Sequence, residues 1–155
     1  MGPGDGATPA DLDNARALGG RIARAGWTLL TGGQAVGVMD AASRGAAEAG
    51  GLVVGVLPQA DAAHASPSVQ VAIVTGLGHA RNVVNVLSSD VVIACGLGLG
   101  TLSEVALALK AGRPVVLLGC GAEAEALFAR LAPGRVTLAA DPDAAVATVR
   151  ALLGT

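Results

Sequence analysis

The chain contains no tyrosine, one tryptophan and one phenylalanine. Modules that read single strands or RNA stack bases on aromatic rings, and a chain this poor in aromatics is not built for that task. Charge is scarce as well. Charged residues make up 14% of the sequence, the formal net charge is −2, and lysine and arginine form no cluster. An electrostatic grip on a phosphate backbone needs such a cluster, so no nucleic-acid partner is expected. No apolar run approaches the ~20 residues that span a bilayer, and no basic stretch leads into an apolar one as in a signal peptide. The expectation is therefore no membrane partner and a cytoplasmic location. The two cysteines, Cys95 and Cys120, suit a reducing compartment and do not make a disulfide framework.

Apolar residues and glycine are abundant: 52% of the 155 residues are hydrophobic and 23 are glycine. That is enough for a core within one domain spanning residues 1–155. The glycines fall between periodic segments, and no internal repeat or linker is visible. Thr8-Pro9 reads as an N-cap followed by proline at the first helical position. A helix then carries Leu12, Ala15, Leu18, Gly19 and Ile22 on one face and stops at Gly26. Strands are expected at 27–31, 52–57, 69–74, 90–95, 113–118 and 135–138. Helices alternate with them, at 38–49, from His79 to Ser88, after Gly100 to Ala111, at 123–131 and at 142–153. Strands this uniformly apolar are covered on both faces, which implies a mostly parallel sheet with helices on each side, a doubly wound Rossmann-like α/β domain.

The chemistry concentrates where strands run into glycine turns. Val91 to Cys95 leads into Gly96-Leu97-Gly98-Leu99-Gly100-Thr101, which opens a helix bearing Glu104. Unpaired N–H groups at such a helix start, backed by the helix dipole, favour an anion and most often a phosphate. Thr31-Gly32-Gly33-Gln34-Ala35-Val36-Gly37 repeats the arrangement. A third turn, Thr75 to Gly78, delivers His79, Arg81 and Asn82. In an open parallel sheet all three turns reach one crevice at the carboxyl ends of the strands.

No Lys-Ser/Thr pair follows either glycine turn, which excludes a Walker A loop. Val116 to Cys120 occupies the stretch where a ribose-binding acid would stand in a dinucleotide site, so NAD is poorly supported. Cys95 and Cys120 end neighbouring strands and read as core thiols; metal ligation would need further ligands, and no second pair or histidine cluster accompanies them. No metal is expected. His64 lies in a polar loop and reads as exposed, and Asp40 with Arg44 as a solvated i,i+4 pair.

The segments Gly32-Gly33 through Gly37-Val38-Met39-Asp40-Ala41-Ala42-Ser43-Arg44-Gly45-Ala46, Ala80-Arg81-Asn82 and Gly100-Thr101-Leu102-Ser103-Glu104 resemble the Rossmann-like superfamily that includes the Lonely Guy cytokinin-activating enzymes. Within it, Gly100 to Lys110 and Ala80 to Asp90 are most similar to the molybdenum cofactor carrier branch. The resemblance covers roughly residues 2 to 120. Two features depart from the enzymes of the superfamily. Their Pro-Gly-Gly-x-Gly-Thr-x-x-Glu motif meets Leu97 where it has a glycine, and their catalytic arginine is followed by lysine where this chain has Asn82. The superfamily also places a first strand, central in its sheet, before the turn that starts here at Met1. Either the start is truncated or the sheet closes differently; if the strand is lacking, the Met1–Ala7 turn is expected to be less well anchored.

The resemblance implies a carrier of a phosphorylated small molecule, the molybdenum cofactor. Gly32, Gly33, Arg81, Asn82, Gly96, Gly98, Leu99, Gly100, Thr101 and Glu104 are the expected binding residues. The alternative it implies is a hydrolase cleaving the N-glycosidic bond of a nucleoside 5′-monophosphate, with Glu104 and Arg81 catalytic. A nucleotide-sensing module is a third reading. Alanine-rich helices with little charge point to a homodimer or homotetramer.

Overall fold

The computed structural model describes residues 1–154. Its elements alternate as the sequence pattern requires. Helix α1 spans Pro9–Arg24, strand β1 Leu29–Thr31, α2 Gly37–Glu48, β2 Val53–Leu57 and β3 Val71–Val74. After a 3-10 turn at Gly78–Ala80 come α3 Arg81–Leu87, β4 Val92–Cys95, α4 Leu99–Lys110, β5 Val115–Leu118, α5 Ala122–Leu131, β6 Val136–Ala139 and α6 Pro142–Leu153. The strands are shorter than the apolar runs containing them: Trp27-Thr28 and Val69-Gln70 lie outside β1 and β3.

Local chemistry explains the start of α1. The Thr8 hydroxyl accepts from the Asp11 N–H at 3.2 Å, and the Asp11 carboxylate accepts from the Thr8 N–H at 2.9 Å. This reciprocal capping box satisfies two donors that the first turn would otherwise leave unpaired.

All strand pairs are parallel, but they form two sheets, ordered β1-β2-β3 and β4-β5-β6. One apolar cluster lies under α1, α2 and α6, with Ala15, Leu18, Ala42, Val53, Val116 and Val149 at its centre. The other lies under α3, α4 and α5 and contains Val86, Val92, Val105, Leu117 and Phe128. Helices therefore cover the strands from both sides, a doubly wound Rossmann-like arrangement.

The inner edges of the half-sheets, β1 and β4, do not pair with each other. The sheet has thus not closed up. The Met1 nitrogen donates to the Ile93 carbonyl at 2.6 Å, and the Cys95 N–H donates to the Met1 carbonyl at 2.8 Å. These are the two bonds that one residue of a parallel neighbour makes to β4. The Pro3 carbonyl accepts from the Val38 N–H at 3.0 Å, at the start of α2. The Met1–Ala7 turn is consequently anchored to β4 and to the start of α2, contrary to the expectation of a loose turn. A cavity of about 670 Å³ lies along this division. Its inner part is walled by apolar residues such as Leu18, Ile22, Leu29 and Val149, and its mouth by polar ones.

β3 corrects a second expectation. Its pattern predicts cover on both faces, yet all four of its residues are exposed.

Candidate functional site

Most polar residues of the cavity collect at the carboxyl ends of β1 and β4, while Ser88, Ser89 and Asp90 line it ahead of β4. Gly32 and Gln34 come from the turn after β1. Arg81 opens α3, and Gly98, Leu99, Gly100 and Thr101 lead into α4, which carries Glu104. The turns after β1 and β4 share this crevice, and the Met1–Asp5 segment joins them. The third turn, Thr75–Gly78, does not line the cavity; only His79, Arg81 and Asn82, which follow it, do.

Arg81 and Glu104 form the core of the site. Both are buried, at 9% and 6% exposure, and their nearest charged atoms are 3.5 Å apart. Asn85, one turn beyond Arg81 on α3 and fully buried, donates from Nδ2 to Glu104 Oε1 at 3.2 Å. Burial pulls the Arg81 pKa below its ordinary value, and the Glu104 charge opposes that shift. The room for the guanidinium comes from Gly32. A Cβ there would stand 2.6 Å from both terminal nitrogens of Arg81 and from the Met39 sulfur. Gly32 thus acts on the site through the side chain it lacks.

Several polar groups at this mouth have no partner. Arg81 Nε, Thr101 Oγ1 and Asn85 Oδ1 are buried and make no hydrogen bond among the described residues. No side chain caps α4, and the N–H groups of Leu99, Gly100 and Thr101 likewise find no acceptor among the described residues. Buried polar groups in folded proteins are nearly always paired. Apart from Asn85 Oδ1, an acceptor, the unpaired groups here are donors beside a cation, which an anionic ligand would satisfy. Nothing lies within 4 Å of the position a Gly100 Cβ would take, so the approach to these donors is open.

Other expected site residues are placed differently. The Gly96 N–H is taken by the Leu118 carbonyl at 2.9 Å, and its φ of +70° suits glycine. The Gly33 N–H is taken by Thr31 Oγ1 at 2.9 Å. Both glycines shape their turns, and neither offers a donor to a ligand. Asn82 donates to Ser103 Oγ at 2.8 Å and ties α3 to α4 beside the mouth. Asn85 and Met39 belong to the site and were not singled out from sequence. The i,i+4 spacing of Asn85 from Arg81 was the available signal for the first, and nothing marked the second.

Outside the mouth, Cys95 and Cys120 are buried free thiols whose pKa values burial pushes up to about 11. They are neutral core groups, as expected. His64 is exposed. Asp40 is less solvated than expected: Oδ1 accepts from Ser66 Oγ at 2.7 Å, and Arg44 stands 3.7 Å away with its own side chain in solvent.

Parallel strands wound on both sides, with most polar residues of the cavity gathered at their carboxyl ends, define a Rossmann-like protein. Comparison with known sequences narrows the class. The chain belongs to the SLOG cluster4 family, whose model matches residues 1–146. It is similar to the molybdenum cofactor binding protein of the phototrophic bacterium Rippkaea orientalis, with 55% identity and a TM-score of 0.97 over 99% of this chain and 94% of that one. It is also similar to the molybdenum cofactor carrier protein of Chlamydomonas reinhardtii, with 51% identity and a TM-score of 0.95 over 100% and 96% of the two chains. An uncharacterized protein of Archaeoglobus fulgidus is 46% identical over 102 residues, which are 65% of this chain and 66%, just under two thirds, of that one.

Proposed function

We propose that this chain binds and carries the molybdenum cofactor, a pterin with a terminal phosphate, as a cytoplasmic homo-oligomer. The observation that carries the proposal is the likeness, at 51% identity or more and over nearly the whole chain, to a binding protein and a carrier protein for that cofactor. The unpaired groups at the mouth fit such a ligand. The first-turn N–H groups of α4 and the Thr101 hydroxyl would hold the phosphate, and Arg81 would supply positive charge. Carriage needs no bond to be broken, only donors that hold the ligand and walls that keep water from it.

Mass spectrometry of small molecules released from protein purified anaerobically tests this reading. Molybdopterin, approaching one per chain, is the expected result; a nucleotide in its place overturns it. Gly100→Val offers a second test. Its side chain would project into the open space before the donors, so molybdopterin affinity should fall at least tenfold, about 1.4 kcal/mol. Affinity equal to that of the wild type would remove the phosphate from this turn.

One observation favours a second reading: a buried carboxylate, Glu104, stands beside a buried arginine in the mouth. In a nucleoside 5′-monophosphate hydrolase Glu104 would act on the ribose or on the attacking water. The carrier reading expects no free base from wild type or Glu104→Gln. Multiple-turnover base release by wild type, lost in Glu104→Gln, would establish the hydrolase instead.

A further inference from the structure

The loop after β2 lies against the glycine turn that follows β1. The Ala35 N–H donates to the His64 carbonyl at 2.9 Å, and the Ser66 N–H donates to the Gly33 carbonyl at 2.8 Å. The two segments pair antiparallel, with Gln34 opposite Ala65. Ser66 is buried. Its hydroxyl donates to Asp40 on α2 at 2.7 Å and accepts from the Ser68 N–H at 3.2 Å. β2 holds the same turn from another side. Gly33 and Gly55 meet so closely that a Cβ on Gly33 would stand 2.8 Å from the Gly55 Cα. The Thr31 hydroxyl, which accepts from the Gly33 N–H, is a third hold. The turn is thus fixed on three sides, and no residue of the 59–68 loop lines the cavity.

The residue this clasp presents is Gln34. In an antiparallel pair of this kind the flanking residues make the bonds, and the main-chain N–H and C=O of the central residue point away from the partner segment. Gln34 lines the cavity and is half-buried. Its N–H and C=O find no main-chain partner among the described residues, and its side chain adds an amide that both donates and accepts. The α4 turn belongs to one half-sheet and Gln34 to the other. A ligand whose phosphate sits at the α4 turn meets Gln34 with its other end.

We propose that Gln34 reads the edge of the ligand's heterocycle, and that Ser66, bonded to Asp40, positions it. The inference rests on the carrier reading and deepens it. A pterin carries a carbonyl, a ring N–H and an amino group along one edge. Gln34 supplies the matching kinds, N–H donors for the carbonyl and carbonyl oxygens for the N–H groups. A phosphate accepts only and would leave those oxygens unsatisfied. A turn fixed on three sides loses little freedom when the ligand arrives, which favours binding.

Molybdopterin and inorganic phosphate, titrated separately into the full chain, test the assignment. Gln34→Met keeps the length of the side chain and removes its amide. It should weaken molybdopterin binding about fivefold, the scale of one hydrogen bond, and leave phosphate binding unchanged. Ser66→Ala should weaken molybdopterin binding about threefold in the wild-type background and not at all in Gln34→Met. A general loss of stability would lower affinity in both backgrounds, so the coupling isolates positioning. Wild-type molybdopterin affinity in Gln34→Met, or an equal loss for phosphate, overturns the role of Gln34 and leaves carriage of the cofactor standing. Equal effects of Ser66→Ala in the two backgrounds overturn the clasp. A wild type that takes up phosphate but no molybdopterin overturns the carrier reading and this inference together.

Discussion

Replacing Arg81 with alanine should lower stability by about 3–5 kcal/mol, the cost of leaving one member of a buried ion pair without the other. Glu104 would remain at 6% exposure with only the Asn85 amide as partner. The guanidinium also fills the space over Gly32, so its loss leaves a void beside a charge. Ligand affinity should fall separately, by about 1–3 kcal/mol, the scale of charge-assisted hydrogen bonds. Denaturant titration and molybdopterin binding measure the two effects. The double variant Arg81→Ala/Glu104→Gln should recover part of the lost stability, because the stranded charge is gone. A single variant as stable as wild type would mean the pair is solvated and contributes little.

Gly45→Ala should be among the most damaging single-methyl additions in the chain. α1 and α2 cross where Gly19 faces α2 and Gly45 faces α1. A Cβ at Gly45 would overlap the carbonyl oxygen of Arg16, and one at Gly19 the carbonyl oxygen of Ala42. The obstacle is main chain on each side, so no rotamer change relieves it and the helices must separate. Overpacking of this kind costs about 3 kcal/mol or more, and the melting temperature should drop by roughly 6–12 °C. Gly100→Ala is the matched control: its added methyl meets nothing within 4 Å, and alanine favours a helix over glycine by about 1 kcal/mol. Equal melting temperatures for Gly45→Ala and wild type would show that the two helices are not held at the close distance described.

Much of the molecule was legible in the chain. The alternation of apolar strands with amphipathic helices, the Thr8-Pro9 start of α1 and the glycine turns after β1 and β4 rest on short-range chemistry. Side-chain period, capping and turn conformation are properties of a few adjacent residues. The meeting of Arg81 with Gly98–Thr101 and Glu104 followed too, because parallel strands bring their carboxyl ends to one edge.

What remained depended on contacts between residues far apart in sequence. Gly33 and Gly96 looked like Gly98 as donors, but Thr31 and Leu118 consume their N–H groups. Gly32 looked like a ligand contact and instead makes room for Arg81, 49 positions later. Asn85 and Met39 entered the site only when α3 and α2 were set against it. β3 reads as a buried strand, and only its place at the end of a half-sheet leaves it bare. Which segments are strands, helices and glycine turns is written in the chain itself, because those preferences are local. The tertiary structure alone decided which donors stay unpaired, which strand edges meet and which faces are covered, because each is set by a partner that the neighbouring residues do not specify.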